Sequence, residues 1–209
     1  MKIDILSVGS LEANCYILSD ESTREAIIID PGADYQQIKR FLSGRGLKPA
    51  YIVNTHGHID HIGADDEFML PVYIHRDDVA LLNDPKLNMS QLLGSDFVIH
   101  SRIHALEDNQ DIHFGSEIDL KVIHTPGHTP GSICLLLVNP QEKILFSGDT
   151  LFYEGIGRTD FPGASSKLLI GSINTRLFVL DDDTLVYPGH GPASSIGHEK
   201  QANPFLAVS

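Results

Sequence analysis

Residues 54–64 read NTHGHIDHIGA, which places three histidines and an aspartate within the six positions from His56 to His61. An imidazole titrates near neutrality, so a cluster this tight repels itself once protonated unless something holds the rings neutral. A bound cation does so, because imidazole nitrogen and carboxylate oxygen are its ordinary ligands. The stretch also locates the cluster in the fold. LKPAYIVN (47–54) contains a short buried strand that runs straight into it, so the ligands stand where a strand leaves the core.

Upstream, KIDILSV (2–8), NCYILSD (14–20) and EAIIIDPG (25–32) read as three strands, the last stopped by Pro31-Gly32. Asp34 followed by Gln37 has the form of a capping box opening a helix through about Arg45. Residues 63–70 are expected as a helix and PVYIH (71–75) as a strand. Residues 83–104 lack clean periodicity; an irregular connection of this length is either substrate-facing or variable surface. The second half repeats the pattern. IDLKVIHT (118–125), SICLLLVN (132–139) and KILFSGD (143–149) are expected strands, with turns at Pro126-Gly127 and Asn139-Pro140. Leu168, Leu169, Ile173, Leu177, Phe178 and Leu180 give residues 165–180 the spacing of an amphipathic helix. TLVYPGHG (184–191) adds a strand and turn, and residues 194–202 a closing helix. Strands carrying helices, twice over, predict an α/β fold of two packed sheets with helices outside.

The 209 residues suit a single domain, and 42% hydrophobic with 21% charged residues is an ordinary globular profile. No apolar run approaches the ~18 residues of a membrane span, and the polar N-terminus does not read as a signal peptide. A formal charge of −13 argues against a partner that presents a phosphate backbone. Cys15 and Cys134 sit in apolar strand contexts and read as buried thiols of a reducing compartment, so a cytoplasmic location is expected.

Further ligand types follow the same rule of position. His128 lies in TPGHTPG (125–131), Asp149 ends ILFSGD, and His190 lies in YPGHG (187–191). Each junction from strand to loop carries a ligand beside glycine, which lets the backbone turn sharply toward a shared centre. The set is His56, His58, Asp60, His61, His128, Asp149 and His190, too many for one tetrahedral ion. Two ions about 3.5–4 Å apart use them all if a carboxylate and a water bridge. His56 and His58, two apart on an extended segment, share one ion; Asp60 and His61 reach the other. Asp30, Thr55 and Thr129 are candidates for orienting the imidazoles. His75, His100, His104, His113, His124 and His198 are assigned to surface or ordinary packing.

The pattern His56-Gly57-His58-Ile59-Asp60-His61, with His128, Asp149 and His190, resembles the metallo-β-lactamase superfamily along the whole chain. Within it, TPGHTPGS, SGDTLF, GIGRTDFPG and YPGHGP followed by IGHEKQANPF resemble the hydroxyacylglutathione hydrolase (glyoxalase II) branch. The resemblance implies an αββα sandwich spanning residues 1–209 and two divalent ions, zinc foremost, with iron or manganese also suited to the donors. One ion would be held by His56, His58, His128 and Asp149, the other by Asp60, His61, Asp149 and His190. The implied reaction is hydrolysis of a small thioester by a hydroxide that bridges the ions, with Asp60 and Asp149 as the catalytic carboxylates. Arg158 falls where the longer enzymes place a lysine near substrate, so it is a candidate substrate contact, or else an ion-pair partner of Asp160. Those longer enzymes carry a basic C-terminal helical domain that grips glutathione; here only HEKQANPFLAVS follows the last helix start. The alternatives are a persulfide dioxygenase, which shares the fold and a GRTDF stretch but uses one iron, a hydrolase of another small ester, and a non-catalytic metal-binding module. A β-lactamase is not expected without an export signal.

Overall fold

In the computed structural model residues 1–115, 118–138 and 143–206 are described; the expected turn at Asn139-Pro140 lies outside them. The first half contains β1 (Lys2–Val8), β2 (Ala13–Ser19), β3 (Glu25–Ile29), α1 (Tyr35–Gly44), β4 (Lys48–Val53), α2 (Ile59–Ile62), α3 (Asp65–Phe68), β5 (Val72–His75) and β6 (Ile103–Leu106). The second contains β7 (Asp111–Phe114), β8 (Ile118–His124), β9 (Ile133–Val138), β10 (Lys143–Gly148), β11 (Leu151–Phe152), β12 (Gly155–Ile156), α4 (Ser166–Ser172), β13 (Leu185–Pro188), β14 (Ser194–Ser195) and α5 (Ile196–Ala202). One sheet runs β1-β2-β3-β4-β5-β6, the other β14-β13-β10-β9-β8-β7, and β11 and β12 form a small hairpin.

Period-two alternation sorts the strands into layers. Tyr16, Leu18, Ile27 and Ile29 face inward against Ile133, Leu135, Leu137, Ile144 and Phe146 of the other sheet. Their neighbours Cys15, Ile17, Ala26 and Ile28 face outward onto Ile38 and Leu42 of α1. On the far side Cys134 and Leu145 pack on Leu169, Ile173 and Ile196 beneath α4 and α5. The result is the four-layer αββα sandwich. Among the described residues no helix is long and apolar enough to cross a membrane.

Direction decides where the loops gather. β3, β4 and β5 are parallel, as are β10 and β13, and two antiparallel steps give β8 the same direction as β10. The carboxyl ends of β3, β4, β8, β10 and β13 therefore open on one edge of the sandwich, the usual place for a site in such sheets. Backbone hydrogen bonds join the two sheets there: Ile133 N–H to the Thr55 carbonyl (2.9 Å) and Asn14 N–H to the Gly189 carbonyl (2.7 Å).

Several local expectations are corrected. Asp34 does not cap α1: its backbone is left-handed (φ 54°), and its carboxylate accepts the Gly9 N–H at 2.8 Å instead. Gln37 likewise donates to the Ser7 carbonyl (3.3 Å), so tertiary partners displace the capping box. The helix expected over 63–70 shortens to α3, with α2 before it. The helix expected over 165–180 is α4, capped by the Ser165 hydroxyl, followed by a π-helical turn over Ile173–Leu177. Leu169, Ile173 and Leu177 are buried, but Leu168 is exposed. β6, β7 and the hairpin, four residues long or less, had not been anticipated.

Candidate metal centre

The residues singled out in the sequence come together at this edge. His58 Nδ1 and His128 Nε2 approach to 2.9 Å, and His61 Nε2 and His190 Nε2 to 3.3 Å. Asp149 lies between the pairs, with Oδ1 3.4 Å from His61 Nε2 and Oδ2 3.6 Å from His128 Nε2. Asp60 Oδ2 is 3.3 Å from His190 Nε2 and 3.8 Å from His61 Nε2. Donor atoms of His56, His58 and His128 fall within 4.8 Å of one another, as do those of Asp60, His61 and His190, and those of His56, His61 and Asp149. Two lobes thus meet at Asp149.

The donors fit metal ions, and the hydrogen bonds say which nitrogen each ring offers. His61 Nδ1 pairs with Asp30 Oδ2 (3.0 Å), His128 Nδ1 donates to the Arg158 carbonyl (2.7 Å), and His190 Nδ1 donates to the Leu11 carbonyl (3.0 Å). His56 Nδ1 lies 3.2 Å from Thr55 Oγ1, whose own proton goes to Asp30 Oδ2 (2.7 Å). With Nδ1 protonated, each of these rings turns a bare Nε2 toward the centre. His56 Nε2 and Asp149 Oδ1 are buried without a hydrogen-bond partner among the described residues, an arrangement that leaves them costly unless a cation takes them. Ligand distances of about 2.0–2.1 Å make a tetrahedral edge about 3.4 Å long, close to most of the separations above.

Charge is finely divided in the protein without metal. Burial, and the neighbouring imidazoles after it, push His56 well down and His58 down to about 3. Burial would lower His61 as well, but Asp149, Asp60 and Asp30 outweigh it and hold this ring up at about 10. Burial would raise Asp60, yet His61 and His190 bring its carboxyl well below the usual range.

Asp30 and Thr55 touch the ligand rings, whereas Thr129 acts one step further out through a residue that sequence reasoning missed. Asp78, buried just after β5, accepts hydrogen bonds from Gly57 N–H (2.9 Å), Thr129 Oγ1 (2.7 Å) and Gly131 N–H (2.6 Å). It ties the loop carrying His56 and His58 to the loop carrying His128. Nothing in IHRDD marked it, because the partners are backbone groups distant in sequence. Asp78→Ala strands these buried donors at ~1–3 kcal/mol each before relaxation. We expect a loss of about 3 kcal/mol in urea unfolding together with weaker metal retention; unchanged values for both remove Asp78 from this role.

His75 and His124, assigned to packing, stack at 4.0 Å beside Asp77. Their near-parallel planes cannot both point at one ion, and His124 Nε2 is already 2.9 Å from the Pro130 carbonyl. Arg158 pairs with Asp160, Nε and Nη2 reaching it at 3.0 and 2.7 Å; the guanidinium lies over the Phe161 ring at 4.4 Å, and the side chain also lines the pocket. A pocket of about 460 Å³ opens above Asp60, Asp149 and the imidazoles. Of the irregular 83–104 stretch, Met89, Leu92 and Leu93 line it.

The chain is similar to known proteins along its whole length. The metallo-β-lactamase superfamily profile matches residues 8–190. A probable metallo-hydrolase of Bacillus subtilis is 37% identical over 99% of this chain and 98% of its own. Hydroxyacylglutathione hydrolase GloC of Haemophilus influenzae is 33% identical over the same shares. Among solved structures, the B3 metallo-β-lactamase BLEG-1 superposes with a TM-score of 0.91 at 38% identity, covering 99% of this chain and all of that one. TTHA1623 in a di-iron-bound form gives 0.83 at 34%, covering 97% and 100%. The His/Asp cluster and these likenesses together point to divalent metal ions and to hydrolytic chemistry. The chain belongs to the metallo-β-lactamase superfamily of metallo-hydrolases.

Proposed function

We propose that this protein is a dinuclear, zinc-dependent hydrolase of small thioesters, the reaction class of hydroxyacylglutathione hydrolases. The observation that carries the reading is the convergence of imidazole and carboxylate donors beneath an open pocket, with His56 Nε2 and Asp149 Oδ1 buried without a hydrogen-bond partner among the described residues. The likeness to the Haemophilus hydroxyacylglutathione hydrolase supports the thioester part. His56, His58, His128 and Asp149 would hold one ion, and Asp60, His61, His190 and Asp149 the other.

Bound there, such a pair supplies an ionised water at neutral pH and a Lewis acid for the carbonyl oxygen. The chain supplies direction. Asp60, whose Oδ2 lies 3.3 Å from His190 Nε2, would help hold the second ion and aim the attacking water into the pocket. Asp30 keeps the proton on His61 Nδ1, and the Arg158 carbonyl keeps it on His128 Nδ1, so neither ring can turn over. Phe161 stands against His58 and His128 and keeps bulk water from that side.

The superposition with BLEG-1 favours a second reading, β-lactam hydrolysis by the same donors. Metal quantification on the purified protein, paired with turnover of S-lactoylglutathione, other thioesters and a chromogenic cephalosporin, separates the readings. Two metals per chain with thioester cleavage is the expected result. Faster cleavage of the cephalosporin puts the second reading first, and one iron with oxygen uptake on a persulfide replaces both.

A further inference from the structure

The walls of the pocket differ from its floor. Above the ligands stand Leu11, Met89, Leu92, Leu93, Phe152 and Phe161. Leu92 and Leu93 are 74% and 59% exposed, and Leu11 is 51% exposed. Scattered surface leucines are ordinary, but aliphatic side chains gathered round the mouth of one cavity are what an apolar ligand group requires.

This wall is held in place. Leu92 and Leu93 end a 3₁₀ turn (Ser90–Leu93) set between left-handed Met89 (φ 69°) and Gly94 (φ 76°). Buried Asn88 anchors it: Oδ1 accepts the Ser90 N–H and Nδ2 donates to the Phe97 carbonyl, both at 2.9 Å. The Asn88 carbonyl in turn accepts the Ile59 N–H at 2.8 Å, one residue before Asp60. The turn that carries the leucines is therefore tied to the segment that bears Asp60.

Positive charge is scarce. Among the described residues lining the pocket, Arg158 is the one basic side chain apart from the imidazoles, and Asp160 already takes it in a bidentate pair. Asp60 and Asp149 add negative charge in a chain of formal charge −13. Glutathione brings two carboxylates, and among the described residues lining the pocket only Arg158, itself paired with Asp160, could meet them.

We infer that the substrate is a thioester bearing an uncharged apolar chain, which lies on the Leu11, Leu92 and Leu93 wall while the carbonyl sits over Asp60 and Asp149. The inference rests on the thioester reading above. The chain can belong to the acyl group or to the thiol, since either side of the carbonyl presents the same chemistry to the wall.

The test uses the metal-loaded enzyme and four thioesters: acetyl- and hexanoyl-N-acetylcysteamine, S-hexyl thioacetate, and S-lactoylglutathione. Discrimination by a hydrophobic surface is expected to raise kcat/KM about tenfold or more for one hexyl-bearing substrate over the acetyl compound. Which of the two gains identifies the side that carries the chain, and S-lactoylglutathione should trail it. In Leu92→Ser/Leu93→Ser, whose positions are exposed and outside the core, the advantage should shrink to about threefold or less. Equal rates for short and long chains overturn the inference and leave the hydrolase reading standing, as does S-lactoylglutathione in the lead. An advantage that survives the double substitution also overturns it, since the wall would then not be the binding surface. No turnover of any thioester sinks the reading beneath and this inference with it.

Discussion

Asp149→Ala should cost the protein one metal ion per chain and about a thousandfold or more in thioester turnover. Asp149 is placed between the two lobes, 3.4 Å from His61 Nε2 and 3.6 Å from His128 Nε2, so its loss removes a donor from both. Lewis-acid stabilisation worth ~4 kcal/mol corresponds to about three decades in rate. Mass spectrometry under native conditions counts the metals independently of activity. A further readout comes from the metal-free protein, where Asp149 is the leading carboxylate holding His61 up at about 10 against burial. The sign is that of a raised histidine. The His61 proton stabilises the metal-free fold fully below about pH 6.5, and this contribution is lost as pH rises through about 10. Metal entry must displace that proton, so metal affinity should climb with pH across the same window. NMR titration of metal-free Asp149→Ala should find His61 titrating lower. Wild-type metal content and turnover in this variant reject the bridging role.

Gly32→Ala should be among the most damaging substitutions outside the ligands. A Cβ at Gly32 lands on the carbonyl of Asp60 and comes within 3.0 Å of the His61 nitrogen; Gly63 in turn abuts the Gly32 carbonyl. These are backbone atoms, so no side-chain rotation relieves the clash and the turn after β3 must part from α2. Since α2 carries Asp60 and His61, the ligand positions move with it. Overpacking of this kind costs ~1–3 kcal/mol and sometimes more. We expect about 3 kcal/mol in urea unfolding and loss of metal from the Asp60, His61 and His190 lobe. Gly171→Ala is the control: nothing lies within 4 Å of its Cβ in α4, and the change should stabilise by about 0.5–1 kcal/mol. Equal stability of wild type and Gly32→Ala would show that this backbone contact does not set the ligand geometry.

The ligand types were legible in the sequence because metal chemistry restricts them to a few side chains and strand ends announce themselves by hydrophobic runs. The layered α/β fold followed from strands carrying helices twice over, with unbroken apolar runs such as ICLLLV and YIV marking strands covered on both faces. The same local logic failed at Asp34, whose carboxylate found Gly9 across the fold, and at residues 165–180, where packing under the second sheet widened the last turns. Asp78 was invisible for a related reason: its worth lies in backbone donors at residues 57 and 131, which carry no sequence signature. Arg158 stood open to substrate or to Asp160; in the fold it pairs with Asp160 and also lines the pocket.

Residue chemistry and periodicity thus determined the layers, the strand ends and the donor set, because those depend on side-chain type and on short-range spacing. Tertiary structure alone decided which imidazole nitrogen faces the centre, which carboxylate ties the loops and which leucines rim the pocket. Those outcomes depend on hydrogen bonds and contacts between segments distant in sequence, from Gly57 with Asp78, 21 residues apart, to Leu11 with His190, 179 apart, and no local pattern encodes them.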